Sequence, residues 1–274
     1  MTEVEVLKNY PDLFEGLGLL KGEVHFEIDE SVQPVQMPLR RLPLGVRDKV
    51  AAELERLERE KIIAPVTEPS PWVSALLVVA KQDGRIRLCI DPKPLNKALK
   101  RAQYYMPTID DVLPMLAGAK VFSTVNAKDG FWHLKLDDES SKLTTFETPF
   151  GRKRWLRAPF GAFPVPEIFQ AKIYSALTGL RGVGCIADDI LIVEAGDTEA
   201  AAVSDHKRNL RALLDRCFTP SASNSHATGY QRRCSATTVR SMRKSLSNSP
   251  ETGNLHMLHR LRAIPRATAV SRMQ

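Results

Sequence analysis

Residues 182–193 read GVGCIADDILIV: two apolar, strand-forming runs, Gly182–Ile186 and Ile190–Val193, with Asp188 and Asp189 side by side between them. An arbitrary Asp pair is most often a solvated turn. Here both flanks are hydrophobic, and carboxylates set among apolar strands are costly unless paired or bound to a cation. The stretch predicts a tight hairpin with an aspartate at its tip, a hard-oxygen arrangement suited to a cation such as Mg²⁺.

Outward from this hairpin, Asp197–Cys217 predicts an amphipathic helix with Val203, Leu210, Leu213 and Leu214 as its buried stripe. On the N-terminal side, Val165–Leu177 reads as a helix stopped by Gly179. VFSTVNA, HLKLD, LTTFET and KRWLRA read as strands. Thr108 and Asp111 give a capping-box start to a helix ending at Leu116, kinked by Pro114 and stopped by Gly118. VSALLVVAK and RIRLCID, joined through Gln82-Asp83-Gly84, predict a β-hairpin. Val46, Val50, Leu54 and Leu57 recur at helical spacing, predicting a helix that ends near Ile63, before Pro65. Residues 1–45 predict an extended arm, with one strand at VHFEID and Pro34, Pro38 and Pro43 blocking regular structure.

The 274 residues carry a net charge of +7, 43% apolar residues and 26% charged residues. That balance is ordinary for a globular chain and argues against wholesale disorder. The longest apolar run, Ala75–Ala80, is too short to span a bilayer, so no membrane role is expected. The first dozen residues show no basic-then-apolar leader. Cys89, Cys185, Cys217 and Cys234 have no metal-type spacing, which predicts a reducing, intracellular setting, cytoplasmic or nuclear. The basic charge is concentrated in residues 218–274, which carry +8 against −1 for the rest of the chain. With nine serines, six threonines and no sustained apolar period, 218–274 predicts a disordered basic tail.

Several stretches in order, PSPWVSALLVVAKQDGRIRLCIDPKPLNKA, YMPTIDDVL, AKVFSTVNAKDGFWHLKLDDESSKLTTFETPFGRKRW, PFGAFPVPEIFQ and IADDILI, resemble the reverse transcriptase of gypsy-type long-terminal-repeat retrotransposons. The resemblance covers about residues 10–217. It implies an α+β fold of fingers and palm, the palm a ferredoxin-like split βαβ sheet. Fingers are expected at 46–100 and 134–165, palm at 101–133 and 166–217. It implies RNA-directed DNA polymerase activity with two Mg²⁺ ions, an RNA or DNA template with primer, and deoxynucleoside triphosphates. Asp188 and Asp189, with the backbone of Ala127, would be the metal ligands. Asp129, Gly130 and Ala127 would lie along the triphosphate. Phe131 would be the steric gate under the sugar, beneath Asn126 and Asp188. Arg87 and Lys81 would grip phosphates, and Phe160 and Gly161 would lie near the template and incoming nucleotide.

The sequence departs from the family pattern at Asn126, where a catalytic Asp is expected. An amide there removes a unit of negative charge from a site that must balance two dications. Pro94 replaces a usual charged residue, AFPVPE replaces a small-residue stretch, and no thumb is recognisable after Cys217, where FTPSASNSHATGYQRRCSATTVR reads like a frame change. Two readings follow: an impaired RNA-directed DNA polymerase, or a non-catalytic retroelement relic or co-opted nucleic-acid-binding module.

Overall fold

The computed structural model describes residues 3–81, 84–218 and 236–243. In chain order the elements are helix α1 (Glu3–Asn9), α2 (Leu44–Arg59), strands β1 (Ile63–Pro65), β2 (Ser74–Ala80) and β3 (Ile86–Asp91), helices α3 (Lys93–Ala98) and α4 (Ile109–Leu116), and β4 (Val121–Ala127). They continue with α5 (Asp138–Leu143), β5 (Phe146–Glu147), β6 (Lys153–Trp155), α6 (Val165–Leu177), β7 (Val183–Ile186), β8 (Asp189–Glu194), α7 (Glu199–Phe218) and β9 (Ala236–Arg243). The chain forms two compact units. Of the described residues, the first holds those up to Leu20, Tyr104–Gly130 and those from Gln170 onward; the second holds those within Lys21–Gln103 and Phe131–Phe169.

The first unit is built on a four-stranded sheet ordered β7-β8-β4-β9, in which every neighbouring pair is antiparallel. The order β4, α6, β7, β8, α7, β9 along the chain, with β4 and β8 central, is the βαββαβ arrangement of ferredoxin-like folds. Alternation along VFSTVNA buries Val121, Ser123, Val125 and Ala127 and leaves Phe122, Thr124 and Asn126 on the other face. Val112 and Leu116 of α4 form a core with Ala119, Ile186, Leu191 and Val193, and Phe122 packs against it. The capping box of α4 forms as expected: the Asp111 carboxylate accepts the Thr108 N–H at 2.7 Å. Helix α7 runs one residue past Cys217. It buries Leu210, Leu213 and Leu214, and also His206 and Asn209, while Val203 is only half-buried.

The second unit carries a five-stranded sheet ordered β1-β6-β5-β2-β3. The β2–β3 hairpin has the expected antiparallel register, Ala75 opposite Asp91 through Ala80 opposite Ile86. Phe146 and Trp155 stack with ring centroids 5.6 Å apart, and both are fully buried.

Several expectations change. Helix α2 ends at Arg59, not near Ile63, because Lys61 adopts a left-handed conformation at φ +55°. The Ile62 N–H then reaches back to the Leu57 carbonyl at 2.9 Å and the Lys61 N–H to that of Glu58 at 3.0 Å. That is a Schellman closure made without glycine, and it frees Ile63 to pair with Trp155 in β1. The stretch expected as an extended arm has little regular structure between Glu15 and Pro43, with VHFEID making single bridges at Val24 and Ile28, but it is anchored. Glu3–Asn9 is helical, and Val24 and Phe26 are buried, with the Phe26 N–H donating to Ser140 Oγ at 2.7 Å. HLKLD makes single bridges rather than a strand, since Asp137 leaves the ladder to cap α5 by accepting the Ser140 N–H at 2.8 Å. LTTFET contributes only the two residues of β5, its start being taken up by α5.

The expected disordered tail without a thumb, residues 218–274, falls mostly outside the described residues. One part of it is described and differs: Ala236–Arg243 is a strand, paired with β4 from Val121 opposite Arg243 to Ala127 opposite Ala236. Its ATTVRSMR sequence offers β-branched residues to the edge of β4 that would otherwise stay open.

Candidate polymerase site

The acidic hairpin forms as its sequence predicts. Ile186 pairs with Asp189, leaving Ala187 and Asp188 as a two-residue turn between β7 and β8. Ala187 takes the left-handed conformation, φ +49°, which an L-residue holds only with support. That support comes from Gln170 on α6, a fully buried side chain. Its Oε1 accepts the Ala187 N–H at 3.0 Å, and its Nε2 donates to the Cys185 carbonyl at 3.3 Å and to Cys185 Sγ at 3.2 Å. Burial pushes the Cys185 thiol up, so it stays protonated beside the amide. Gln170 was not singled out from sequence; its only signal was its place at the end of the PFGAFPVPEIFQ stretch.

Strand β4 brings Asn126 opposite Asp189. The Asn126 Nδ2 donates to Asp189 Oδ1 at 2.7 Å, while the Ala127 N–H donates to the Asp188 carbonyl at 2.7 Å. A carboxylate only accepts hydrogen bonds, so the amide must present its nitrogen to Asp189. The ladder therefore couples Asn126 to Asp189, the second residue of the acidic pair. Asp129 follows at φ +49°, leading into the short 3-10 turn Gly130–His133.

This donor set fits a pair of divalent ions poorly. Two adjacent aspartates are present, but the third position is an amide: its Nδ2 is given to Asp189, and its Oδ1 is a neutral oxygen where a carboxylate would bring a full negative charge. Among the described residues, no three His, Cys, Asp or Glu side chains gather as a metal-holding group.

In the second unit, β3 places Arg87 and Cys89 on one face, and across the hairpin Lys81 follows Val79 on that same face. Burial pushes the Cys89 thiol up to about 11, and the charges of Arg87 and Lys81 pull the other way. The Arg87 guanidinium lies over the Phe160 ring, 4.6 Å from its centroid, and its buried Nε has no hydrogen-bond partner among the described residues. Phe160 also packs on Phe131 at 5.0 Å, and Phe131 on Phe169 at 5.6 Å. Gly161 sits at φ +113°, where a Cβ would lie 2.5 Å from the Ile90 carbonyl oxygen. Asn96, which sequence reasoning missed, fixes this segment: its Nδ2 donates to the Gly161 carbonyl at 3.0 Å and its Oδ1 accepts the Phe163 N–H at 2.9 Å.

An antiparallel ferredoxin-like sheet with an acidic hairpin, accompanied by a five-stranded sheet, is a fold found in solved reverse transcriptases. The foamy viral protease-reverse transcriptase dRH in complex with double-stranded DNA superposes with a TM-score of 0.68 at 21% identity, over 77% of this chain and 37% of that one. By sequence, residues 79–219 match the family described as "Reverse transcriptase (RNA-dependent DNA polymerase)". An uncharacterised protein of Caenorhabditis elegans is 35% identical over 219 residues, 78% of this chain and 17% of that protein. The retrovirus-related Pol polyprotein from transposon 412 of Drosophila melanogaster is 29% identical over 207 residues, 73% of this chain and 16% of the polyprotein. The chain belongs to the reverse transcriptase family, and it spans less than a fifth of the length of these two relatives. Among the described residues, no helix is long and apolar enough to cross a membrane.

Proposed function

We propose that the chain is the fingers and palm of an RNA-directed DNA polymerase from a gypsy-type retrotransposon Pol polyprotein, with nucleotidyl transfer strongly impaired at Asn126. The first unit is the palm and the second the fingers. Template with primer, RNA or DNA, and deoxynucleoside triphosphates are the partners; one fold neighbour was solved with double-stranded DNA. Arg87 and Lys81 serve the triphosphate, along with the backbone of Ala127, Asp129 and Gly130. Phe131 discriminates the sugar, and Phe160 and Gly161 line the nucleotide and template.

The observation that carries the impairment is the 2.7 Å hydrogen bond from Asn126 to Asp189. Two-ion nucleotidyl transfer, with Mg²⁺ as the ion, needs full negative charge bridging both cations. Asp188 and Asp189, with the Ala127 backbone, would be the ligands left to hold a metal, and the Asn126 amide would compete for Asp189. The same hydrogen bond favours a second reading, a relic or co-opted module that binds nucleic acid without extending it.

Primer extension on RNA and DNA templates with Mg²⁺ or Mn²⁺ tests this. Asn126→Asp is expected to exceed the natural chain by about 10³-fold or more, since a charged metal ligand contributes several kcal/mol at the transition state. Equal, measurable rates for the two proteins refute the impairment. Activity absent from both supports the binding-module reading. In an active Asn126→Asp background, Phe131→Ala is expected to raise ribonucleotide incorporation relative to deoxynucleotide; an unchanged ratio removes the gate role.

A further inference from the structure

Phe163 is a large aromatic side chain left 48% exposed. It is not loosely held. Its N–H is fixed by Asn96 Oδ1 at 2.9 Å, and Asn96 also holds the Gly161 carbonyl at 3.0 Å. The Arg101 guanidinium lies over the ring, 4.7 Å from its centroid. The segment carrying Arg101 is clipped to α6 in turn: the Gln103 N–H donates to Glu167 Oε2 at 3.0 Å, with Gln103 itself left-handed at φ +50°. Glu167 Oε1 stands 4.0 Å from Arg101 Nη1, an ion pair too long to consume the guanidinium, whose side chain remains 61% exposed.

The surroundings are cationic rather than apolar. Residues 93–101 read KPLNKALKR, four bases and no acid. Lys93, Lys97 and Lys100 are exposed. Lys100 has a long contact of 3.9 Å to Glu27, and Lys93 and Lys97 have no ion-pair partner among the described residues.

We propose that Phe163 and Arg101 form a stacking platform for an unpaired base of single-stranded nucleic acid, with Lys93, Lys97 and Lys100 following its phosphates. Every base has a π face that an exposed aromatic ring covers, and an arginine beside the ring adds cation–π attraction. A base inside a duplex has both faces occupied, so the platform selects single strands. An apolar protein partner fits less well, because an interface core excludes charge, and here a guanidinium lies on the ring and the segment that holds it, 93–101, carries four bases. The inference rests on the reading of the chain as a nucleic-acid-binding polymerase relative.

The test is fluorescence anisotropy of the full chain with a labelled oligoadenylate of about 12 nucleotides, as RNA and as DNA, and with the matching duplex. Phe163→Leu keeps apolar volume and charge but removes the π face. It is expected to weaken single-strand binding by roughly 5- to 100-fold, leave duplex binding alone and leave the salt slope unchanged. Phe163→Trp is expected to bind at least as well as the natural chain. Arg101→Gln is expected to weaken single-strand binding as well, and serves if Phe163→Leu folds poorly. Natural affinity in both Phe163→Leu and Arg101→Gln overturns the platform while leaving nucleic-acid binding intact. Failure of the natural chain to bind either strand form overturns the platform and the underlying reading together. A preference for RNA over DNA, lost in Phe163→Leu, supports the platform and identifies its strand.

Discussion

The Asn126 amide and the Asp189 carboxylate face each other across the β4–β8 ladder, joined by a 2.7 Å hydrogen bond. An aspartate at position 126 would turn this attraction into the approach of two carboxylates, and one of them would hold its proton to a higher pH than usual. A carboxyl whose folded-state pKa is raised weakens the fold above its unfolded value, and stability returns as the pH falls through the raised one. Asn126→Asp is therefore expected to be less stable than the natural chain at pH 8 in chelator, by about 1–3 kcal/mol. Acidification toward pH 5 or added Mg²⁺ should restore it. Thermal unfolding in chelator and in metal checks this; a variant as stable as the natural chain in chelator contradicts the hydrogen bond.

Gln170 satisfies one donor and one acceptor of the β7–β8 turn from inside the core. Gln170→Leu preserves bulk but orphans both groups. It is expected to cost at least about 2 kcal/mol, because each unsatisfied buried polar group carries its own desolvation penalty. Hydrogen exchange at the Ala187 amide should accelerate along with the global loss. Unchanged protection at Ala187 would show that the turn is held by something else.

Gly161→Ala meets two obstacles at once: a φ of +113° and a Cβ placed 2.5 Å from the Ile90 oxygen. The backbone clamp by Asn96 leaves little room to relax. A loss of at least about 2 kcal/mol is expected in urea unfolding. A near-neutral result would mean that the Phe160–Gly161 segment is not held against β3.

His25 lies 2.7 Å from Asp137 Oδ2, and this hydrogen bond raises its pKa above the ordinary value of 6.5. The raised value means that the contact contributes fully below about pH 6.5 and is lost as the pH rises through the folded-state pKa. The imidazole is largely exposed, so solvent screening keeps the effect small. An NMR titration of His25 should show the upward shift, and Asp137→Asn should abolish it. A midpoint at or below 6.5 in the natural chain would exclude the contact.

The acidic hairpin, the β2–β3 hairpin, the α4 capping box and the Val165–Leu177 helix were legible because each depends on residues near one another in sequence. The end of α2 was not. A Schellman closure is ordinarily announced by glycine, and here Lys61 takes that place because Ile62 and Leu57 are both fully buried. HLKLD alternates as a strand should, and Leu134 and Leu136 are indeed buried, but Asp137 capping α5 ends the pairing. The strand Ala236–Arg243 was hidden because its low apolar content is read against an isolated chain, whereas its hydrogen bonds come from the edge of β4.

At the candidate site the division is the same. Composition and motif order alone determined that the chain is a reverse transcriptase relative, that an acidic pair sits at a hairpin between apolar strands, and that position 126 carries an amide. Only the tertiary structure decided that Asn126 spends its amide on Asp189, that Gln170 and Asn96 hold the turn and the glycine segment, and that Arg87 rests on Phe160. Side-chain type follows from one position at a time, and a local pattern exposes a strand or a cap. A hydrogen bond across 63 residues of chain depends on the register of two strands and on which face each side chain takes, and packing sets both.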